Sequence, residues 1–271
     1  MTTDTMAPEV GDLLRTWRVR RRFSQQELSD LSGVSTRHLS RVETGRAQPT
    51  ADMLLHLADQ LDVPLRQRNG LLLAAGYAPR YRDGQLDDAS VAHVMDGLRH
   101  LLDAHLPYPA LLLDTYWDIV DANQAVDALL AGCEPTLLEP PVNVLRVCLH
   151  PDGISSRIGN LDQWAFHLHR QLTHRAERTH DPRHRDLVSE IESYPHHRGK
   201  ARVPSGPAPP GPVLTLELSS QAGPLRFFST SAQLDTATDA TLEGLHLETF
   251  LPADAATRAA LQTSSGMQAP A

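Results

Sequence analysis

Residues 24–45 contain two short helical patterns separated by one glycine, and this spacing constrains the fold more than any other feature of the chain. Ser24 is a suitable N-cap, and Glu27 three residues later completes a capping box, so a helix begins here. Gly33 tolerates the left-handed backbone at a helix end and therefore predicts a tight turn. A second short helix follows the turn and is ended by Gly45. The pattern thus predicts two helices joined by a turn.

Apolar residues at helical spacing continue on both sides of this pair. One helix is predicted between Val10 and Arg22, another begins at Pro49-Thr50, and a fifth runs from Leu65 to Ala75. We therefore expect an all-α domain of five helices over residues 10–77, preceded by a flexible N-terminus at residues 1–9.

The chain changes character after a polar stretch with proline and glycine, which predicts a linker at residues 78–90. Beyond it, short apolar runs at residues 110–114 and 117–121 predict a hairpin, and later alternating runs predict further strands. Helical patterns lie between these runs. We expect residues 91–262 to form a mostly antiparallel sheet with covering helices, followed by a disordered tail at 263–271. Together with the helical domain, this predicts an α+β fold.

The net charge of −8 at first argues against a nucleic-acid partner, but the charge is unevenly distributed. Residues 15–46 carry eight arginines against three acidic residues, whereas residues 81–271 are acidic. This distribution suggests two parts with different partners. No apolar run approaches the ~20 residues of a membrane helix, and the N-terminus lacks a secretory pattern. Because two cysteines suit a reducing compartment, we expect a cytoplasmic protein without a membrane partner.

The sequence FSQQELSDLSGVSTRHLSRVETGRAQPT at residues 23–50 resembles the Cro and phage-repressor type of helix-turn-helix, often called the XRE family. The capped helix, the glycine turn, the inward-facing Leu39 and Val42, and the restart at Pro49 all match this family. The resemblance covers about residues 10–67 and implies a regulator that binds double-stranded DNA.

A short helix with polar residues at its N-terminus can enter the major groove and place side chains on base edges. In the family, the positions that match Thr36, Arg37 and Arg41 usually read bases, and His38 and Ser40 flank that face. Arg37 and Arg41 are four residues apart and share one helix face, so either could bind guanine with two hydrogen bonds. The alternative is that this arginine-rich face is simply solvated.

The same resemblance implies residues that hold the DNA backbone and the domain itself. Gln25 matches the family's phosphate-binding glutamine at the start of a helix. Arg18 and Glu43 are implied to form a structural ion pair with each other. Because one such domain makes few contacts, we expect a homodimer that reads two half-sites. Further phosphate contacts are expected from Arg21, Arg22 and Arg46.

Six pieces of the chain after Val91 occur in a recognisable order and spacing. They are PALLLDTYWDIVDAN at 109–123, NVLR at 143–146, HPDG at 150–153, NLDQW at 160–164, FFST at 227–230 and ETFLPAD at 248–254. Together they resemble the ligand-binding domain of MmyB-like transcription regulators, a PAS-like fold. The resemblance implies sensing of a small apolar or amphipathic ligand between the sheet and its covering helices.

Apolar residues of this region are candidates for lining a ligand cavity, and the alternative for each is an ordinary place in the core. Asn123, His150 and Asn160 are candidates for fixing the polar end of a ligand. For these three, helix caps and a turn are the favoured roles. The expected pocket residues are Leu111, Leu113, Trp117, Ile119, Leu145, Trp164, Leu168, Leu216, Phe227 and Leu247.

Fourteen histidines invite a metal hypothesis, and His167, His169, His174, His180 and His184 lie close together in the sequence. Because no zinc-protease motif or cysteine-rich partner accompanies them, we expect no metal and no cofactor. Motifs of hydrolases and nucleotide-binding enzymes are missing as well, so we expect a non-enzyme.

The favoured function is therefore a ligand-responsive, sequence-specific DNA-binding transcription regulator. A DNA-binding scaffold, whose C-terminal domain only dimerises or contacts another protein, is the alternative. A DNA-tethered enzyme is a third class, and it would require a polar, titratable pocket.

Overall fold

The computed structural model describes residues 9–179, 181–195, 212–220, 223–234 and 238–266, with side chains as far as residue 263. These residues form two compact units. The first is helical and consists of residues 9–88 together with 238–243. The second contains the sheet and consists of the remaining described residues.

The helical unit contains the five predicted helices. Its second helix begins with the predicted capping box: the Glu27 N–H donates to the Ser24 hydroxyl at 3.1 Å, and the Ser24 N–H donates to the Glu27 carboxylate at 2.7 Å. The helix ends at Gly33, whose φ of +70° explains why glycine occupies this turn. The helices are α1 (Val10–Arg20), α2 (Gln25–Ser32), α3 (Thr36–Glu43), α4 (Ala51–Gln60) and α5 (Leu65–Ala74).

The core of the helical unit is made by one apolar residue or more from every helix. Leu14, Leu28, Leu39 and Leu57 are completely buried in it. Gly11 lets α1 approach α3 closely, because a β-carbon at this position would lie 2.4 Å from the Val42 carbonyl oxygen. This close contact fixes α3 against α1.

Residues 78–88, predicted as part of a linker, are packed into the helical unit instead. The buried Asn69 side chain accepts hydrogen bonds from the N–H groups of Arg80 and Tyr81, each at 3.0 Å. It also donates to the Tyr81 carbonyl at 2.7 Å. A buried amide needs such partners, so this polar stretch is held in place rather than left free.

The sheet unit is built on five antiparallel strands in the order β2-β1-β5-β4-β3. The predicted hairpin forms its β1–β2 edge. The strands are β1 (Ala110–Leu113), β2 (Ile119–Ala122), β3 (Leu216–Ser220), β4 (Gly223–Gln233) and β5 (His246–Pro252). The helices are α6 (Ala92–Ala104), α7 (Ala125–Leu130), α8 (Val144–Leu149), α9 (Leu161–Thr179), α10 (Pro182–Glu192) and α11 (Ala255–Gly266).

One face of the sheet and the helices α8, α9 and α10 enclose a large apolar cluster. Leu111 and Leu113 of β1 point into this cluster, whereas Leu112 between them is buried outside it. This alternation is the two-residue period of a β-strand. The sheet therefore has an inner face toward the cluster and an outer face.

The predicted chain ends are only partly described. Helix α11 reaches Gly266, so residues 263–266 are helical instead of belonging to a disordered tail. Residues 1–8 and 267–271, which carry the rest of the two terminal predictions, lie outside the described residues.

Candidate nucleic-acid interface and ligand-binding core

Helix α3 separates apolar and basic residues onto opposite faces. Leu39 and Val42 are buried in the helical core, while Arg37 and Arg41 are exposed. The Ser35 hydroxyl caps the helix by accepting from the His38 N–H at 3.3 Å. Thr36 and Arg37 therefore lie in the first turn of α3 and Arg41 in its last turn. Thr36, His38 and Ser40 are half-buried beside the exposed arginines.

A buried ion pair fixes the C-terminal end of α3 to α1. Arg18 donates to both oxygens of Glu43, at 2.6 and 2.8 Å, and to the Phe23 carbonyl at 2.7 Å. Burial by itself would raise the pKa of Glu43, but the hydrogen bonds from Arg18 and Gln25 outweigh it and lower that pKa. Glu43 therefore stays ionised, and its bidentate hydrogen bonds with Arg18 set the orientation of α3.

Gln25 joins this ion pair from the start of α2. Its side-chain amide donates to the Glu43 carboxylate at 2.8 Å. An amide nitrogen carries two hydrogens, so this bond uses one and leaves the other for a further acceptor. The predicted phosphate ligand is consequently linked to the residues that orient α3.

The other three predicted phosphate ligands differ in their surroundings. Arg22 and Arg46 are exposed. Arg21 instead reaches across the unit, where it donates to the Leu61 carbonyl at 2.7 Å and to the Asp62 carbonyl at 2.5 Å. Because these carbonyls follow α4, Arg21 fixes the end of α4 to α1, and its guanidinium does not face the solvent as the sequence led us to expect.

Most predicted pocket residues meet in the apolar cluster of the sheet unit. Leu247 is the exception, because it pairs with Leu112 across the sheet and shares its outer face. The prediction that Leu247 lines the pocket is therefore wrong, because the side chains of β5 that face the cluster are those on either side of Leu247. The cluster contains Leu111, Leu113, Trp117, Leu145, Trp164, Leu168, Leu216 and Phe227, and the partly buried Ile119 packs against it.

Two ionisable residues of β5, His246 and Glu248, lie on the inner face of the sheet, where they pair with Leu113 and Leu111. The sequence analysis did not single out either residue. His246 is 3% exposed, and its ring packs edge-to-face against the Trp117 ring with 6.4 Å between the ring centres. Burial lowers the pKa of His246, so its imidazole is neutral near pH 7. Burial also raises the pKa of Glu248, and a hydrogen bond with the Ser229 side chain offsets only part of this effect. A period-two pattern anchored on the cluster residue Phe250 would have predicted both.

A third polar group at this face is the guanidinium of Arg175 in α9. It lies 4.3 Å from the centre of the Trp117 ring and donates to the Thr115 carbonyl at 2.9 Å. Burial lowers the pKa of Arg175. His184 donates to the same carbonyl at 3.0 Å and is 1% exposed. The inner face therefore combines an apolar surface with a few buried polar groups.

The three candidates for a polar ligand anchor are already bonded to backbone groups. Asn123 donates to the Leu102 and Tyr108 carbonyls, both at 2.9 Å. Asn160 donates to the Thr215 carbonyl at 2.6 Å and accepts from the Glu217 N–H at 3.1 Å. His150 accepts from the Asp152 N–H at 3.2 Å. His150 therefore has the predicted turn role. The predicted cap roles are wrong for the side chains of Asn123 and Asn160, because these bonds go to segments outside the helices that the two residues precede.

Metal-ligating and thiol groups are dispersed in the part of the chain that the structure describes. No three of its His, Cys, Asp and Glu residues form a group that could hold a metal ion, and His180 lies outside the described residues. Cys133 and Cys148 are buried free thiols. Burial raises the pKa of Cys148 to about 12. Within the described ranges, no helix is both long enough and apolar enough to cross a membrane.

The turn at Gly33 and the exposed basic face of α3 define the class of this protein as a helix-turn-helix protein. Residues 14–67 match the family described as "Helix-turn-helix". Residues 94–263 match the "MmyB-like transcription regulator ligand binding domain". Because that match covers more than half of the chain, the chain belongs to this family of DNA-binding transcription regulators.

Two relatives from Mycobacterium tuberculosis are named as transcriptional regulators. An uncharacterized HTH-type transcriptional regulator of Mycobacterium tuberculosis H37Rv is 30% identical over 115 residues, which are 42% of this chain and 74% of the relative. The transcriptional regulator ClgR of the same strain is 38% identical over 56 residues, which are 21% of this chain and 50% of ClgR. Both relatives are similar to this chain over part of its length.

Proposed function

We propose that this regulator binds double-stranded DNA sequence-specifically through α3, with Thr36, Arg37 and Arg41 reading base edges. The observation that carries this proposal is the exposure of Arg37 and Arg41 on the face of α3 opposite the buried Leu39 and Val42. A bidentate contact from arginine to guanine contributes about 1–3 kcal/mol of discrimination. His38 and Ser40 flank these contacts.

The DNA backbone is held by Gln25, Arg22 and Arg46 in this proposal. Gln25 stands in the first turn of α2, where the free N–H groups and the helix dipole favour a phosphate. Arg22 and Arg46 supply exposed positive charge. Arg21, which is bonded to the Leu61 and Asp62 carbonyls, is assigned a structural role instead.

A single domain of this size makes few base contacts, so the protein acts as a homodimer on two half-sites about 10 base pairs apart or a multiple of that. Since its target is chromosomal DNA, it works in the cytoplasm.

The sheet unit senses a small apolar or amphipathic ligand at the apolar cluster beneath its inner face. Two features support this. The cluster combines many apolar side chains with the buried polar groups of Arg175, His246 and Glu248. The Thr173 hydroxyl of α9 is buried without a protein hydrogen-bond partner among the described residues, so it is available to a bound ligand or a water. The competing function is a scaffold whose sheet unit only dimerises.

Selection from random duplexes, followed by mobility-shift titration, tests the DNA proposal. The double variant Arg37→Ala with Arg41→Ala should lose affinity for the selected duplex about tenfold or more. Arg258→Ala, which removes an exposed arginine from α11, is the matched control and should bind like the wild type. Equal binding by the double variant would refute the base-reading assignment.

Native mass spectrometry of the purified full chain separates the sensor from the scaffold. A reproducible small-molecule adduct, released under denaturing conditions, supports a sensor. Protein that carries no adduct, and whose tryptophan emission is unchanged by extracts of small molecules, supports the scaffold.

A further inference from the structure

The helical unit is completed by a short segment from a distant part of the chain. Residues 238–243 lie between β4 and β5 in sequence, yet they belong to the helical unit. The Ala240 N–H donates to the Arg82 carbonyl at 2.8 Å, and the Thr241 hydroxyl accepts from the Gly84 N–H at 2.9 Å. Ala240 and Leu242 are buried. This segment, called the insert here, is therefore a packed part of the helical unit.

The carboxylate of Glu243 ends the insert at the N-terminus of α5. Both of its oxygens accept from the Leu65 N–H, at 2.9 and 2.7 Å. Pro64, the N-cap residue of α5, makes no side-chain cap of its own. Because a carboxylate at this end satisfies free N–H groups and interacts favourably with the helix dipole, Glu243 serves as the missing cap.

The chain from this cap to the sheet is short. Only Gly244 and Leu245 separate Glu243 from His246, the first residue of β5, and three residue steps span at most about 10 Å. Gly244 has a φ of +85°, and a β-carbon there would lie 3.1 Å from Thr115. The covalent path from Glu243 to β5 is therefore short.

Strand β5 is the middle strand of the sheet, and it directs His246, Glu248 and Phe250 to the inner face. At the other end of the connection, α5 packs against α1 and α4 of the helical unit. Among the described residues, the chain passes from one unit to the other after residue 88, between residues 234 and 238, and after residue 243, so two of these passages flank the insert.

We infer that the insert couples the two units, with Glu243 as the positioning residue that transmits a shift of β5 to the N-terminus of α5. The inference rests on the proposed function, because it takes the helical unit as the DNA-binding unit. Coupling between two sites is reciprocal. DNA bound at α3 must then change the stability of β4 and β5 as well.

Hydrogen–deuterium exchange on the full chain tests this, with and without the duplex selected as described above. In the wild type, the duplex should slow exchange of the β4 and β5 amides about fivefold or more, in addition to those of α2 and α3. Glu243→Gln should keep binding within a few-fold and retain part of this protection. The double variant Thr241→Ala with Glu243→Ala should bind but lose the protection of β4 and β5. Glu139→Ala, which alters an exposed carboxylate, should behave like the wild type.

The inference is overturned if the duplex does not protect β4 and β5 in the wild type, or if both insert variants keep the full wild-type protection of these strands. In either case the proposed DNA binding still stands. A wild-type protein that protects neither α2 nor α3 overturns the proposed function, and the inference with it. If the double variant does not fold, as judged by circular dichroism, Glu243→Gln decides between these outcomes.

Discussion

Arg18 of α1 and Glu43 of α3 form a buried bidentate ion pair, with N–O distances of 2.6 and 2.8 Å. This pair orients α3, which carries Arg37 and Arg41. Gln25 of α2 donates to the same carboxylate, so three helices meet at one charged group. The helix that carries the proposed base-reading residues and the helix that carries the proposed phosphate ligand are thereby joined through one carboxylate.

Arg18→Ala should destabilise the helical unit by about 3–5 kcal/mol, because it leaves the Glu43 carboxylate buried without its counter-ion. Hydrogen–deuterium exchange of the α1 and α3 amides at pH 7 in increasing urea measures this loss. Arg66→Ala removes one partner of a far more exposed pair with Asp83 and should cost less than about 1 kcal/mol. Equal losses for the two variants would contradict the importance assigned to burial.

Gly11→Ala should destabilise the helical unit by about 1–3 kcal/mol, because the added β-carbon would overlap the Val42 carbonyl oxygen. Gly70→Ala is the matched substitution inside α5, where a β-carbon meets no atom within 4 Å. It should stabilise the unit by about 0.5–1 kcal/mol, since alanine favours the helix. Differential scanning calorimetry should give the two variants melting temperatures that move in opposite directions from the wild type.

Glu248→Gln should make the sheet unit more stable at pH 7 and flatten its dependence on pH. Burial raises the pKa of Glu248 in the folded protein, so the folded state holds this proton more tightly than the unfolded chain does. Stability from this group is therefore present below its unfolded pKa and declines as pH rises through the folded pKa. Chemical unfolding from pH 4 to pH 8 tests this against Glu139→Gln, which should keep the wild-type slope.

Cys133 and Cys148 should resist thiol reagents in the native protein. Burial raises the pKa of both thiols, that of Cys148 to about 12, so little of the reactive thiolate forms at pH 8. Labelling by a chromogenic disulfide should be slow and should accelerate only in denaturant. Rapid modification of either cysteine under native conditions would show that the apolar cluster opens readily.

The two halves of the chain differ in how closely the sequence predicted them. In the helical unit, the Ser24 capping box, the Gly33 turn and the Arg18–Glu43 pair lie where the sequence and its family resemblance put them. Helix signals act over three or four residues, so they can be read locally. In the sheet unit, the strands were predicted, but Leu247 was assigned to the wrong face.

The amino-acid sequence by itself determined the five helices, the exposed arginines of α3 and the family to which the chain belongs. Tertiary structure decided the inward phase of β5, the bonds of Arg21 across the helical unit, and the inclusion of residues 238–243 in that unit. These features depend on contacts between residues 40 to more than 170 positions apart. Local spacing carries no information about such contacts, because they arise only when distant segments compete for burial and for hydrogen-bond partners.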